Sequence, residues 1–265
     1  MKIFISADIE GVNHITSWDE TNYGNSRYEE FRRQMTSEVK AACLGAYEAG
    51  AKEIYVKDAH DSARNILFDE LPNYVKLHRG WEGGLASMMG GLDNTFDAVL
   101  FVGYHGPARN EGNPLAHTMT TEIVHVKIND KFASEFDINS LYASLLGVPV
   151  AFLSGDLALT KLVKETNPNI EVVATKEGRH GAVVSLHPSI TNQQIEETVK
   201  KALLKDLSNN IVSMPKNFKV EIQYRTHKAA YRASLYPGCM LLNSDSIIFE
   251  SKNYEDVLRM FIFNL

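Results

Sequence analysis

An unbroken apolar run at residues 98–102, Ala-Val-Leu-Phe-Val, is the feature that most limits how this chain can fold. Five consecutive apolar residues fit a strand that is covered on both faces, as in parallel sheets packed between helices. Further strand-like segments occur at residues 2–8, 54–56 and 148–153, and segments with helical periodicity separate them. This alternation predicts an α/β fold in which helices flank a mostly parallel sheet.

The order of these segments also predicts how the chain divides. Apolar periodicity predicts helices at residues 28–49, 138–146, 157–164 and 192–207, and strand-like segments recur at 122–128, 172–173, 220–224 and 240–242. The main sheet is expected to end near residue 165. We therefore expect an α/β domain over residues 1–165 and a smaller C-terminal α+β domain or extension over residues 166–265.

The charge balance limits the partners of the chain. A formal net charge of −6 and a pI near 5.9 disfavour a broad surface for nucleic acid or anionic membranes. The two cysteines, Cys43 and Cys239, form no disulfide or metal-binding pattern, and no apolar run approaches the roughly 20 residues of a membrane-spanning helix. We expect a cytoplasmic protein that acts on a small substrate, without nucleic-acid or membrane partners.

Two acidic residues lie at the end of the first predicted strand, in the stretch Ser-Ala-Asp-Ile-Glu-Gly at residues 6–11. Alternate side chains of an extended chain share one face, so Asp8 and Glu10 can point to the same place, and Gly11 allows a sharp turn beside them. Two neighbouring carboxylates repel each other unless a cation lies between them. The pair is therefore either part of a cation site or two solvated acids at a strand end.

Histidines follow two more predicted strands. His60 ends the sequence Lys-Asp-Ala-His after the second strand, and His105 lies in Gly-Tyr-His-Gly after the run at 98–102. Either histidine alone is typical of an ordinary loop or core residue. Ligands of open α/β sheets bind at the carboxyl ends of the strands, and three strands bring Asp8, Glu10 and both histidines to that edge. Such a ligand set suits Zn²⁺, and also Mn²⁺, Co²⁺ or Ni²⁺.

Other polar residues have no distinct role from spacing alone. Asp58 lies two residues before His60 and is either the acceptor for the second N–H of that ring or a loop or capping residue. His117 and Glu135 lie in loop-like sequence. The chain has no GxxxxGK, GxSxG, HExxH or GxGxxG motif, which disfavours nucleotide-driven chemistry and serine hydrolysis.

The stretch at residues 6–11 resembles the SxDxEG signature of the zinc-dependent D-aminopeptidases of the DppA type. Further motifs follow in the order which that family shows, namely Asp58-Ala59-His60 with Arg64-Asn65, Gly103-Tyr104-His105, His117-Thr118, Glu135, Gly147-Val148-Pro149-Val150 and Ser154-Gly155-Asp156. The similarity extends over nearly the whole chain and is densest in residues 1–156.

The resemblance implies a set of site residues. Two zinc ions per chain would be held by Asp8, Glu10, His60, His105 and Glu135, with Asp8 between the metals. The family also implies a catalytic His117, which could act as a nucleophile, as a general acid or base, or as a donor to the oxyanion. The chain departs from the family pattern at Ala116, Asn129-Asp130 and Ser134. These departures leave the ligands in place and bear on substrate preference instead.

Together these expectations describe a zinc metallo-aminopeptidase. It would hydrolyse short peptides with an N-terminal D-amino acid such as D-alanine, by attack of a metal-activated water on the peptide carbonyl. The resemblance also implies a homo-oligomer, which in the family is a decamer. Two alternatives stay open, a dinuclear metal hydrolase of another amide or ester bond and a non-catalytic peptide-binding protein of a transport system.

Overall fold

A computed structural model describes residues 1–265 of this protein. The fold consists of two sheets with helices packed on them. The larger sheet has seven strands in the order β3-β2-β1-β4-β7-β8-β9, and all neighbours are parallel except β9, which runs antiparallel to β8. The smaller sheet is antiparallel, with five strands in the order β11-β12-β10-β5-β6. The predicted α/β class is confirmed.

The strands are β1 Lys2–Ala7, β2 Glu53–Asp58, β3 Val75–His78, β4 Ala98–Tyr104, β5 Ile123–Ile128, β6 Lys131–Phe132, β7 Val150–Asp156, β8 Glu171–Arg179, β9 Ala182–Ser185, β10 Phe218–Tyr224, β11 Cys239–Leu241 and β12 Ser246–Ser251. The helices are α1 Tyr28–Glu48, α2 Glu135–Leu145, α3 Leu157–Thr166, α4 Pro188–Leu203, α5 His227–Ala233 and α6 Tyr254–Asn264. Single 3₁₀ turns occupy Trp18–Glu20, Phe68–Glu70 and Ser87–Met89. None of the helices is long and apolar enough to cross a membrane.

The seven-stranded sheet is buried on both faces. Along β1, Ile3 and Ile5 face a core that α1 and α4 cover, whereas Phe4 faces a second core. That second core contains Phe136 of α2 and Val220 of β10, so it lies between the two sheets. Continuous apolar runs such as the one in β4 follow from this double coverage, because neither face of the strand meets water.

The two sheets do not follow the predicted boundary at residue 165. The seven-stranded sheet continues into β8 and β9, and α4 packs against α1. The five-stranded sheet takes β5 and β6 from the earlier part of the chain. After β7, the chain passes through α3 into β8, which pairs in parallel with β7 and places Phe152 opposite Glu171. The sheet therefore continues beyond residue 165.

Helix bounds differ most from the prediction at α4. The helix predicted at 192–207 occupies Pro188–Leu203, because Pro188 at its first position favours the start of a helix and His187 caps it. By contrast, Asp156 caps α3 as expected, since its Oδ1 accepts a hydrogen bond from the Leu159 N–H at 2.8 Å.

Candidate metal centre

The carboxyl ends of three neighbouring strands carry four of the predicted site residues. Asp8 and Glu10 follow β1, His60 follows β2 and His105 directly follows β4. The pairing of β1 with both β2 and β4 places these ends side by side. All four side chains are buried, and none is more than 7% exposed.

Gly11 lies at the edge of the sheet where these strands end, and the backbone at the end of β4 passes directly beside it. Its N–H donates to the Gly103 carbonyl oxygen at 2.8 Å. A Cβ atom at position 11 would lie 1.8 Å from the carbonyl oxygen of Tyr104, which no side chain can tolerate. The glycine of the stretch at residues 6–11 is therefore required by packing, and it keeps Asp8 and Glu10 next to His105.

Glu135 and His117 reach the same place from the segment between β4 and α2. Glu135 is the first residue of α2, whose N-cap is Ser134, and its Oε1 accepts a hydrogen bond from the Met119 N–H at 2.7 Å. The Thr118 hydroxyl donates to the Ala133 carbonyl oxygen at 2.8 Å and holds the two parts of this segment together. Spacing alone gave no signal for either residue, and only the family resemblance indicated them.

Asp8 lies between two histidines at the centre of the cluster. Its Oδ1 is 3.3 Å from His60 Nδ1, and its Oδ2 is 3.6 Å from His105 Nε2. Glu10 Oε2 is 3.1 Å from the same nitrogen of His60. On the other side, Glu135 Oε1 is 3.5 Å from His105 Nε2 and 3.6 Å from His117 Nε2. The structure thus brings all six predicted residues together.

Three ligand-type atoms in this cluster have no hydrogen-bond partner although they are buried. They are Asp8 Oδ2, Glu10 Oε2 and His105 Nε2. Buried polar atoms without a partner are costly in free energy, and they are rare in native proteins unless an ion or water satisfies them. Two groups in the cluster, Asp8 with Glu10 and His105, and His105 with His117 and Glu135, have ligand atoms close enough to share an ion. The residues present therefore fit a metal centre.

Each site histidine donates one ring N–H to a backbone carbonyl. The donors are His60 Nε2 to Thr21 at 3.1 Å, His105 Nδ1 to Gly106 at 2.9 Å and His117 Nδ1 to Leu115 at 3.0 Å. A carbonyl oxygen only accepts, so each of these nitrogens carries a proton, and the other nitrogen, which faces the carboxylates, is the one that can bind a metal ion. Metal-binding histidines are typically held in this way.

The electrostatics of the cluster show that it needs positive charge. Burial, with Glu10 beside it, raises the pKa of Asp8 to about 8. Burial lowers the pKa of His105, but Glu135 and Asp8 outweigh it and raise that pKa to about 10. Burial likewise opposes the charge on His60, yet Glu10 and Asp8 hold its pKa well above the usual range. Either protons or a cation must lie between these imidazoles and carboxylates.

His117 differs from the other two histidines. Burial, and then the neighbouring His105, lower its pKa. Its ring stacks on the His105 ring with centroids 4.4 Å apart, and Trp18 meets it edge-on at 5.2 Å. A neutral imidazole with a free Nε2 at the edge of a cluster is suited to accept or donate a proton.

Asp58 acts on the loop after β2 and not on the His60 ring. Its carboxylate accepts the backbone N–H groups of Asn65 and Ile66 at 2.6 and 2.8 Å and the Asn65 side-chain amide at 2.8 Å. That amide also donates to the His60 carbonyl oxygen at 2.7 Å. Of the two roles considered for Asp58, the structure supports the loop residue, since Thr21 takes the ring N–H of His60.

A cavity of about 880 Å³ opens over the cluster. Its volume lies in the range of small-molecule sites. Besides the site residues it is lined by Trp18, Trp81, Asp61, Arg109, Thr121 and Arg225. Arg225 follows β10, so the smaller sheet contributes to the cavity, and no sequence signal indicated it.

Comparisons with known proteins agree over nearly the full length of the chain. Residues 1–263 match the Peptidase_M55 family, described as D-aminopeptidase. A D-aminopeptidase of Bacillus subtilis (strain 168) is 29% identical over 255 residues, which cover 96% of this chain and 92% of that protein. The solved structure described as "Zn-dependent D-aminopeptidase DppA from Bacillus subtilis, a self-compartmentalizing protease" has a TM-score of 0.92 at 27% identity, covering 99% of this chain and 96% of that one.

Proposed function

Because this chain belongs to the D-aminopeptidase family, we propose that it is a dinuclear zinc aminopeptidase that removes N-terminal D-amino acids, of the D-alanine type, from short peptides. Family membership makes the chain a zinc aminopeptidase. The number of ions, the preference for D-residues and the roles of single residues are our proposal.

The observation that carries the proposal is the position of Asp8 between two histidines. Its two oxygens face His60 and His105 separately, and the oxygen that faces His105 is buried without a partner. We assign Asp8 as a residue that would help to hold both ions. Glu10 and His60 would hold one of them with it, and His105 and Glu135 the other.

Two bound zinc ions would supply Lewis-acid polarisation of the peptide carbonyl and a lowered pKa for the attacking water. His117 performs the proton transfer. Its Nδ1–H is held by the Leu115 carbonyl oxygen, so Nε2 is the atom that takes a proton from the attacking water and returns it to the leaving amine. Glu135 Oε1, which is 3.6 Å from Nε2, favours the protonated form of the ring.

The cavity suits a short peptide with a free amino end. Asp61 directly follows His60, is exposed to the cavity and forms no ion pair with the protein's own cations. We assign it to the substrate ammonium group, which would explain removal of residues from the N-terminus. The two cysteines are free and buried, in keeping with a reducing, cytoplasmic location.

We further propose that the chain forms a homo-oligomer, in the family a decamer. The end of α6 contacts α5 and β11 through Asn264, and this region exposes large apolar side chains. They are Leu235 at 67%, Met240 at 60%, Leu242 at 49% and Phe263 at 70% exposure. We call these four residues the apolar patch. Exposed apolar surface of this kind is typical of an interface between subunits.

The decisive experiment measures zinc per chain and peptide cleavage on the same preparation. We expect about two zinc ions per chain, the number that a paired-metal hydrolase needs. D-Ala-D-Ala should be cleaved and L-Ala-L-Ala should not. His60→Ala should lose zinc, whereas His227→Ala, a change of an exposed histidine outside the site, should retain it. Equal zinc in both variants would exclude the proposed ligands, and cleavage of phosphate esters alone would exclude the proposed reaction.

A further inference from the structure

Two arginines lie in the cavity without a partner of opposite charge. Arg109 and Arg225 both line it, and both are exposed. The arginines that form ion pairs in this protein are Arg27, Arg32, Arg33, Arg179 and Arg259. Two unpaired guanidinium groups beside a cluster of carboxylates leave part of the cavity positively charged.

Arg225 is fixed in place by the segment that carries His117. Its Nε donates to the carbonyl oxygen of Thr121, which also lines the cavity. Thr121 is four residues from His117, so at most about 14 Å of extended chain separate their Cα atoms. One edge of the guanidinium is used in this contact, and the two terminal nitrogens stay available for a bidentate partner.

Arg109 is as close in sequence to His105 as Thr121 is to His117. It is four residues beyond His105, which again limits the separation to about 14 Å of chain. Its φ of 71° lies in the left-handed region, which favours glycine, yet the chain has an arginine here. Strained backbone of this type is common where a side chain is presented to a ligand. The side chain makes no hydrogen bond to the rest of the protein.

We propose that Arg109 and Arg225 form a subsite for a carboxylate on the leaving-group side of the substrate. This inference rests on the proposed function. Glu10 and Asp61 in the lining of the cavity fit the amino end of a peptide, and the two arginines fit a negative charge beyond the scissile bond. The best substrates are then dipeptides, whose terminal carboxylate follows one residue after the cleaved bond, or peptides with an acidic residue there.

The test compares kcat/KM for three substrates that differ in whether they carry a carboxylate and in where it lies. They are D-Ala-D-Ala, its C-terminal amide, and the α-amide of D-Ala-D-Glu, in which only the side chain is charged. The wild-type protein should prefer the free acid over the neutral amide by roughly ten- to hundredfold, as expected for hydrogen bonds to a charged group. Cleavage of the D-Glu peptide as fast as the free acid would show that a side-chain carboxylate also occupies the subsite.

Substitutions separate this preference from a general loss of activity. Arg225→Gln and Arg109→Gln should each lower kcat/KM for the free acid about tenfold and leave the neutral amide within about twofold. Arg225→Lys, which retains the charge but not the planar fork, should recover part of the loss. Arg232→Gln, an exposed arginine of α5 outside the cavity, is the matched control. Equal cleavage of acid and amide by the wild-type protein would overturn the subsite.

A failure of the proposed function can be distinguished from a failure of the subsite. If no peptide is cleaved by the zinc-loaded protein, the proposed function fails, and the same peptides are then titrated by calorimetry. Tighter binding of the free acid that disappears in the double variant of Arg109 and Arg225 would support the subsite. Equal affinity for acid and amide in all variants would refute it.

Discussion

His117 stands apart from the other site histidines because burial lowers its pKa while theirs are raised. We predict that His117→Ala retains zinc and loses activity by roughly 10²- to 10⁴-fold, the usual contribution of a proton-transfer group. Elemental analysis and peptide cleavage on the same sample measure both quantities. Loss of zinc in this variant would make His117 a ligand and would require the site to be reassigned.

Glu38 of α1 is a buried acid outside the site. Burial raises its pKa from the usual 4.5 to about 7. Its Oε1 accepts the Asn13 N–H at 2.9 Å and the Gln34 amide at 3.0 Å, whereas Oε2 is buried without a partner. Because the native pKa lies above the unfolded one, stability from this group is complete below about pH 4.5 and is lost as the pH rises through 7.

We therefore predict that Glu38→Gln becomes more stable than the wild-type protein as the pH rises. The amide oxygen of the introduced glutamine can accept both hydrogen bonds, and the substitution removes the buried charge. The difference in free energy of unfolding should grow from near zero at about pH 5 to at most about 3 kcal/mol above pH 8. Thermal unfolding at several pH values measures it, and a difference that is independent of pH would contradict the raised pKa.

At the scale of elements, the loop after β2 depends on Asp58. Its carboxylate accepts three N–H groups from Asn65 and Ile66, and Asn65 in turn holds the His60 backbone. We predict that Asp58→Ala lowers zinc affinity by about 10- to 100-fold, since the support of a ligand is lost while the ligand remains. Asp58→Asn, which keeps one acceptor oxygen, should lie between. Zinc competition titrations measure the affinity, and unchanged affinity in Asp58→Ala would show that the loop holds its shape alone.

The site residues at the ends of the strands are the ones that the sequence predicts best. The residues that follow parallel strands lie at one edge of the sheet, so the sequence alone predicts that Asp8, Glu10, His60 and His105 lie together. The reason for Gly11 was only partly visible. A turn was expected there, but the close approach of the Tyr104 carbonyl is a contact between distant parts of the chain.

Other parts of the site could not be read from local sequence. Glu135 and His117 lie on either side of a hairpin, β5 with β6, whose strands join the smaller sheet. Glu135 and His117 lie close together because of the path that the chain takes between the two sheets. The periodicity of apolar residues in the sequence does not indicate that path. The pairing of β10 with β5 positions Arg225. These two strands are far apart in the sequence, so local sequence patterns cannot predict this position.

At the scale of the whole molecule, the apolar patch should govern assembly. We predict a solution mass that is a multiple of 29.7 kDa. Phe263→Asp and Met240→Asp should lower it toward a single chain, because a buried charge at an interface is costly. Phe68→Asp, a change of an exposed aromatic residue on the larger-sheet side, is the control. Light scattering measures the mass, and a wild-type protein that is monomeric would disprove the proposed assembly.

The hydrogen bonds that orient the three imidazoles all end on backbone carbonyls, those of Thr21, Gly106 and Leu115. A carbonyl stays in place when the side chain of its residue changes, so mutation at these positions does not remove the acceptor. Ring orientation is thus inherited with the path of the chain and not with particular neighbouring residues. Substitutions at Thr21, Gly106 and Leu115 should therefore disturb the orientation of the three rings less than a change in the path of the backbone there.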